Sequence, residues 1–219
     1  QIGDNTRTNR ESPTLVQGDI AGKTVTKVSV GFTTVCAVAD GLPYCWGSNS
    51  NEQLGIANNI FSSSDDRVLQ PTNGVPRTSS GALSGRFVTD IGTAAPNNPA
   101  NLIWPFAYAD EHSCALTEQG AVACWGDGDF RQQTGGGLQF DILPYIGLWH
   151  RYPDQTYPTL VKGYSDNTGP FAGKKAERVG ASSHDSCILA EGRMYCWGVP
   201  APLNPICWIP PAGLFSGSH

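Results

Sequence analysis

The sequence predicts an all-β protein built of β-propeller-like blades, each a small sheet of antiparallel strands. Three observations lead to this prediction: a cysteine hairpin that occurs three times, a Pro-Thr segment upstream of each hairpin, and a β-rich stretch between the two. The 219 residues include 26 Gly and 16 Pro, which favours many turns, and no stretch has a convincing helical pattern. Long repeats that each contain several short strands are typical of propellers and related toroids.

The first hairpin reads CAVADGLPYCWG. Asp-Gly is a strong signal for a two-residue turn, and a turn at Asp40-Gly41 places Cys36 opposite Cys45. This pair falls at a non-hydrogen-bonded position, where Cα atoms approach to about 4.5 Å, within the roughly 4.4–6.8 Å that a disulfide spans. Pro43 also falls at such a position, so its missing N–H costs no ladder hydrogen bond. The spacing therefore predicts a disulfide between Cys36 and Cys45.

The hairpin recurs as CALTEQGAVACWG and CILAEGRMYCWG. The last copy has the same cysteine spacing and a turn at Glu191-Gly192, whereas the middle copy is one residue longer and needs a three-residue loop that ends at Gly120. Glycine readily adopts the left-handed conformation of such a loop. A metal site is disfavoured because no short Cys-Cys knuckle occurs and the four histidines are scattered. Free buried thiols are the remaining alternative. The predicted pairs are Cys114–Cys124 and Cys187–Cys196.

The cysteines indicate the cellular compartment of the protein, and the net charge indicates which classes of partner it can bind. Disulfides persist in oxidising compartments, so we expect an extracellular or cell-surface location, with Cys207 either free or paired outside the chain. The net charge of −5 and the pI near 5.2 count against a nucleic-acid partner. No apolar run reaches the roughly 18 residues of a membrane span. No signal peptide is recognised, so we expect a mature chain or an excised fragment. No cofactor is predicted.

The Pro-Thr segments divide the chain. SPTLVQGD matches YPTLVKGY, LQPTNGV is a weaker copy, and Gln53-Leu54-Gly55 after the first hairpin resembles Gln1-Ile2-Gly3. Three blades do not close a ring, since propellers have about 4–8. We therefore expect part of a larger propeller or assembly, completed by other protein chains or by further blades of a longer parent chain. The predicted units are three repeats, about 1–55, 56–136 and 137–199, and a Pro-rich C-terminal tail, 200–219.

The repeated order of residues resembles the blade of the regulator of chromosome condensation repeat, in an extracellular, cysteine-paired version. EHSCAL, residues 111–116, fits best because His112 stands at the family's histidine position, where the other repeats have Thr34 and Asp185. Cysteine pairs that end in Cys-Trp-Gly are also similar to the ectodomain repeats of Crinkly-type receptor kinases. The resemblance implies a propeller of four-stranded antiparallel blades, typically seven, with a binding face made of loops. It does not by itself select a function.

No residue pattern predicts a catalytic or a metal site. The stretch Ser182–Ser186 contains serine, histidine and aspartate, but a catalytic triad is assembled in space from separate elements. Asp127-Gly128-Asp129 lacks the later carboxylates of a calcium loop. For Trp46, Trp125 and Trp197 we favour packing between blades over ligand stacking.

Two insertions carry the candidate interface. The segment Leu138–Tyr157 is rich in aromatic residues and includes Arg151, and a second insertion surrounds Pro96–Pro105. Aromatic residues and Arg are enriched at interface hot spots, although the same side chains also suit a loop that folds back on the propeller. The candidate interface residues are Phe140, Tyr145, Trp149, Tyr152, Tyr157, Trp104 and Trp208.

These observations favour a non-enzymatic, extracellular protein–protein interaction or structural scaffold module. Such a module would be a subunit or fragment of a surface assembly, an appendage or an adhesin. One alternative is a secreted propeller enzyme, a hydrolase or a lyase, which needs carboxylates and histidines that converge at one mouth. A receptor-type ligand-binding ectodomain is another. Cysteine pairing and acidic charge count against a nuclear exchange factor.

Overall fold

The structure, a computed structural model, describes residues 2–49, 52–56, 67–72, 82–94, 111–126, 155–161, 170–182 and 185–198. Within these ranges there are eleven β-strands and one short 3-10 turn, Gly18–Ile20, and no α-helix. The strands form three sheets in which every pairing is antiparallel. The predicted all-β architecture of propeller-like blades is confirmed.

Each sheet is one blade. Blade 1 contains β1 Val25–Val30, β2 Thr34–Ala39, β3 Leu42–Ser48 and β4 Arg67–Thr72, in that spatial order. Blade 2 contains β5 Val88–Thr93, β6 His112–Thr117, β7 Val122–Gly126 and β8 Gln155–Leu160, also in sequence order. Blade 3 contains β9 Ala176–Ala181, β10 Asp185–Ala190 and β11 Arg193–Gly198.

The blades are offset from the predicted repeat units. Strand β4 lies in the unit 56–136 but pairs with β3, and β8 lies in the unit 137–199 but pairs with β7. Both β4 and β8 contain a Pro-Thr segment. The Pro-Thr segment therefore supplies the last strand of the blade that precedes it in the chain.

The hairpin turns explain the register of the middle strands. Asp40 and Gly41 both have positive φ angles, 49° and 73°, as a type I′ turn requires, and Glu191 and Gly192 repeat this at 52° and 70°. Gly120, with φ 83°, ends the longer loop of blade 2. As a result the cysteines face one another in each blade. All three predicted pairs are bonded: Cys36–Cys45, Cys114–Cys124 and Cys187–Cys196.

The blades stack face to face, and the disulfide marks the direction of stacking. We call the sheet face that carries the disulfide the front face, and the opposite one the back face. In blade 1, Cys36 and Cys45 on the front face are buried in one apolar cluster with Val88 and Ile91 of blade 2. The front face of blade 2 is buried against blade 3 in the same way. That second cluster includes Cys114, Leu116, Val122, Cys124, Ala176, Val179 and Ile188.

A tryptophan on the back face is covered by a glycine of the preceding segment. Trp125 is fully buried, and its Nε1 donates a hydrogen bond to the carbonyl oxygen of Gln53 at 3.0 Å. A Cβ at Gly55 would lie 2.8 Å from that nitrogen, so only glycine allows this approach. Gly3 stands in the same relation to Trp46, also at 2.8 Å. The sequence likeness between Gln1-Ile2-Gly3 and Gln53-Leu54-Gly55 therefore has a structural reason.

Disulfide accessibility tests this stacking. The cysteines of blades 1 and 2 are buried under the next blade, whereas Cys187 is half-buried and Cys196 is exposed. We predict that a mild thiol reductant opens Cys187–Cys196 first in the monomeric chain, because thiol–disulfide exchange requires access to a sulfur. Timed alkylation followed by peptide mapping measures the order. In denaturant all three bonds should open at similar rates, and equal rates in the native monomer would contradict the stacking.

Candidate interaction site: the two end faces

The back face of blade 1 exposes apolar side chains that blades 2 and 3 bury. Val28 occupies the position that Ile91 holds in blade 2 and Val179 holds in blade 3. Ile91 and Val179 are buried against the preceding blade, whereas Val28 is 63% exposed. The exposed apolar residues on or beside this face are Val25, Val28, Val30 and Phe32. Blade 1 thus presents an apolar contact surface that the described chain leaves largely uncovered.

Residues 2–20 cover the remainder of this face. Ile20 and Val16 pack into an apolar cluster with Tyr44 and Trp46 on the back of blade 1. The backbone N–H of Asn5 donates to the carbonyl oxygen of Leu69 at 3.2 Å, which ties the segment to β4. The segment is therefore fixed beside the exposed valines.

A buried carboxylate shapes the start of this segment. Asp4 accepts hydrogen bonds from the N–H and hydroxyl of Thr6, and from Nε of Arg10 at 2.7 Å. Burial alone would raise the pKa of the Asp4 carboxyl, but the hydrogen bonds from Arg10 and Thr6 outweigh it, so that the pKa lies below its ordinary value. Asp4 therefore stays ionised and holds the loop at neutral pH.

The front face of blade 3 is the complementary open surface. Leu189 and Met194 occupy the positions of Leu116 and Val122, which blade 2 buries against blade 3. Leu189 is exposed, and Met194 is 75% exposed. The exposed Cys196 lies on the same face. This end of the described chain thus displays the surface that the other two blades use to hold their successors.

The hairpin turns also mark this open end. The carbonyl oxygens of Gly41 and Gly120 accept hydrogen bonds from the first strand of the next blade, from Val88 N at 2.8 Å and Ala176 N at 3.2 Å. Gly192 holds the equivalent turn position in blade 3, and no described atom lies within 4 Å of where its Cβ would be. The end of blade 3 thus leaves open an apolar face, a disulfide and the surroundings of the hairpin turn.

A buried glutamate joins blades 1 and 2. The Glu111 carboxylate accepts hydrogen bonds from Thr33 N and Oγ1, both at 2.7 Å, from Thr34 Oγ1 at 2.8 Å and from Gln53 Nε2 at 3.3 Å. The Glu111 side chain is almost fully buried. Because these donors surround the carboxylate, the cost of burying its charge is compensated, and the hydrogen bonds link Glu111, next to β6 of blade 2, to blade 1.

A histidine–serine pair joins blades 2 and 3. His112 Nε2 lies 2.6 Å from Ser186 Oγ, and both residues are buried between the sheets. A nucleophile and its base have this separation in hydrolases, but here the blades cover the pair. Within the stretch Ser182–Ser186, Ser182 donates to Asp185, so the described triad-type residues have separate structural partners.

The described ranges contain neither a metal-binding cluster nor a membrane-spanning helix. No group of three or more His, Cys, Asp or Glu residues is arranged there to hold a metal ion. In the same part of the chain, no helix has the length and apolar character to cross a membrane.

The predicted aromatic interface falls almost entirely outside the described residues. Tyr157 lies in β8. The others, Phe140, Tyr145, Trp149, Tyr152, Trp104 and Trp208, lie outside the described ranges and stay predictions. Sequence reasoning missed the end-face residues Val28 and Met194. An alignment of the repeats makes both equivalent to residues of the other blades, but that those residues are buried while Val28 and Met194 are exposed follows only from the structure.

The role of Glu111 is testable by substitution. We predict that Glu111→Ala lowers the free energy of unfolding by about 1–3 kcal/mol, because the buried Gln53 amide and the hydroxyl groups of Thr33 and Thr34 lose the carboxylate that accepts hydrogen bonds from them. Urea titration gives this value. Glu118→Ala is the matched control: Glu118 is exposed, so its loss should change stability by less than about 0.5 kcal/mol. Equal effects of the two substitutions would show that Glu111 does not join the blades.

Comparison with known proteins agrees with this architecture. The family model for the regulator of chromosome condensation (RCC1) repeat matches residues 109–132, which include His112 and the second cysteine pair. The RCC1 domain-containing protein RUG3, mitochondrial, of Arabidopsis thaliana is 26% identical over 168 residues, which cover 77% of this chain and 27% of that protein. The chain spans about a quarter of the length of this relative.

Solved structures show the same fold at low sequence identity. Human WBSCR16 superposes with a TM-score of 0.57 at 16% identity, covering 86% of this chain and 36% of that one. Prp20p of Saccharomyces cerevisiae, which was described with its binding to Gsp1p and histones, gives 0.52 at 20% identity, covering 80% and 33%. The Crinkly ectodomain of the Arabidopsis thaliana receptor kinase ACR4 gives only 0.28 at 15% identity, covering 81% and 51%, and supports no argument about the fold. The resemblance to the RCC1 repeat is thus confirmed over residues 109–132, and the described sheets have the fold of propeller blades.

Proposed function

We propose that this chain is a non-enzymatic, extracellular protein–protein interaction or scaffold module, a subunit or fragment of a surface assembly. The observation that carries the proposal is the pair of open end faces. Val28 on the back of blade 1 and Met194 on the front of blade 3 are exposed, although the equivalent positions are buried at both internal joints.

The energetics of the internal joints support a protein partner. Burial of one large aliphatic side chain is worth roughly 1.5–3 kcal/mol. Each end face leaves several such side chains in water, so a partner that covers them gains stability from every one. The internal joints add polar contacts at their rims, such as the turn carbonyls of Gly41 and Gly120. A protein surface with apolar side chains and backbone donors offers both.

Charge and cysteines support the remaining parts of the proposal. The net charge of −5 gives no basic footprint for nucleic acid. Three disulfides are typical of an oxidising compartment, although the relative RUG3 is mitochondrial. His112 and Ser186, which have the residue types of a hydrolytic pair, are buried between blades. For these reasons we favour binding over hydrolysis as the function.

The only methionine of the chain provides a direct test. Met194 is the single Met among 219 residues and lies on the front face of blade 3. We predict that dilute peroxide oxidises Met194 quickly in the monomeric Val28→Asp variant, in which the front face of blade 3 is open, and slowly in material from the native source, because a protein partner covers it there. Intact-mass spectrometry reads the gain of one oxygen. If Met194 in native material oxidises as fast as in the denatured chain, no partner covers this face and the proposed function fails.

A further inference from the structure

We propose that the partner of the two end faces is a second copy of this chain, joined head to tail. The front face of blade 3 in one copy packs on the back face of blade 1 in the other. In the same contact, residues 12–16 of the second copy add to β11 of the first as the fourth strand of its blade 3. This inference rests on the proposed function, since it names the partner of the same faces.

The internal joints show what fits each open face. At both joints a front face with a disulfide packs on the first strand of a following blade. The exposed Met194 lies on a front face, and the exposed Val28 lies on the first strand of a blade, at its back face. The two faces therefore complement one another, whereas two front faces or two back faces have no precedent in the described joints.

At each internal joint, a hairpin turn accepts a hydrogen bond from the first strand of the next blade. The equivalent acceptor lies at the open end of blade 3, and the equivalent donor lies at the open end of blade 1. Gly41 O accepts from Val88 N, and Gly120 O accepts from Ala176 N. The residue equivalent to Val88 in blade 1 is Val25, and the residue equivalent to Gly120 in blade 3 is Gly192. The head-to-tail contact therefore places Val25 N of one copy against Gly192 O of the other.

The strand addition follows from the register of the Pro-Thr segments. The threonine after the proline lies opposite the second cysteine of the hairpin in both four-stranded blades: Thr72 opposite Cys45, and Thr159 opposite Cys124. A third Pro-Thr segment, Pro13-Thr14, belongs to none of the described strands, and no described strand pairs with the outer edge of β11. The same register places Thr14 opposite Cys196.

Leu15 supplies an apolar side chain to the contact between residues 12–16 and β11. Leu15 is 83% exposed. Its counterpart Leu160 lies opposite Ala123 and packs against the apolar cluster between blades 1 and 2. The equivalent position for Leu15 is opposite Tyr195, which is only partly buried on the cluster between blades 2 and 3. Leu15 of a second copy would therefore cover Tyr195.

The packing of the two faces and the strand addition can form at the same time, with the second copy in one position. Val161, which follows β8, is buried in the joint between blades 2 and 3. Val16 corresponds to Val161 and already packs on the back face of blade 1, next to Gly3. The segment before Val16 consequently lies at the side where the partner's blade 3 arrives. Face packing and strand addition thus belong to a single interface.

The number of blades favours a dimer. The described blades of two copies number six, and propellers close with about 4–8. A head-to-tail contact closes a ring when its rotation allows, and the ring covers both end faces of both copies. The expected particle therefore has twice the 23.3 kDa mass of the chain.

Two face variants test the head-to-tail contact. Met194→Asp disables the front end and Val28→Asp disables the back end, while Met194→Leu and Val28→Ile serve as controls. By sedimentation we expect the wild type and both controls to be dimers, and each aspartate variant alone to be a monomer. An equimolar mixture of the two aspartate variants should form dimers again, since each retains the end that the other lacks. Circular dichroism and disulfide mapping check that every variant is folded.

A cysteine trap tests the strand register. In a Cys207→Ser background, chains with Leu15→Cys mixed with chains with Tyr195→Cys should form a disulfide-linked pair on a non-reducing gel, because opposite residues have Cβ atoms about 4.5–5.5 Å apart. Leu15→Cys mixed with Met194→Cys is the control. Met194 is one residue away and points to the other sheet face, so it should not cross-link.

Three results would overturn the inference. A wild type that is folded but monomeric shows that the end faces do not bind a second copy. An aspartate variant that still dimerises alone shows a contact between like faces instead of a head-to-tail contact. Absence of the cross-link in a stable dimer removes the strand addition. If the chain is monomeric but Met194 is protected in native material, the proposed function stands with a different protein partner; if Met194 is unprotected as well, both fail.

Discussion

The structure depends on the burial of one apolar sheet face against the next. No blade can bury both of its faces by itself, because a single small sheet has no second layer. The described blades solve this by stacking, and the middle blade is the only one of the three that is covered on both sides by described blades. The free energy of unfolding of such an array is approximately the sum of a contribution from each blade and a contribution from each contact between neighbouring blades. The joint, more than the blade, is therefore the unit of this fold.

Polar groups add hydrogen bonds to each joint, where the apolar faces already pack together. The Glu111 carboxylate accepts hydrogen bonds from blade 1 and from Gln53, in the connection between β3 and β4. His112 forms a hydrogen bond with Ser186 in blade 3. The disulfide plays a related part, because it lies on the contact face and contributes apolar bulk there as well as a covalent link. The cysteine pairs therefore serve the joint and the hairpin at once.

The hairpins could be predicted from sequence in full, because their geometry is local. The position of Asp40-Gly41 fixes which residues face each other, and the cysteine spacing then follows. The extent of each blade was harder to predict. Strand β4 pairs with β3 across a long connection, and sequence similarity alone grouped its Pro-Thr segment with the repeat that follows it.

The end faces could not be recognised from local patterns. The alternation of apolar residues in β1 is that of any strand with one buried face, and nothing in Val25–Val30 shows that the covering blade is missing. Only the comparison of equivalent positions in three dimensions separates Val28 from Ile91. The candidate aromatic interface was deduced from composition, and composition does not position a side chain.

Hydrogen exchange measured blade by blade, on the monomeric Val28→Asp variant, tests the central claim most directly. If joints hold the fold together, the amides of β6 and β7 in the doubly covered blade 2 exchange most slowly, and those of β10 and β11 in blade 3 exchange faster. Equal protection in all three blades would contradict the account, because the stability of a blade would then not depend on how many joints it makes.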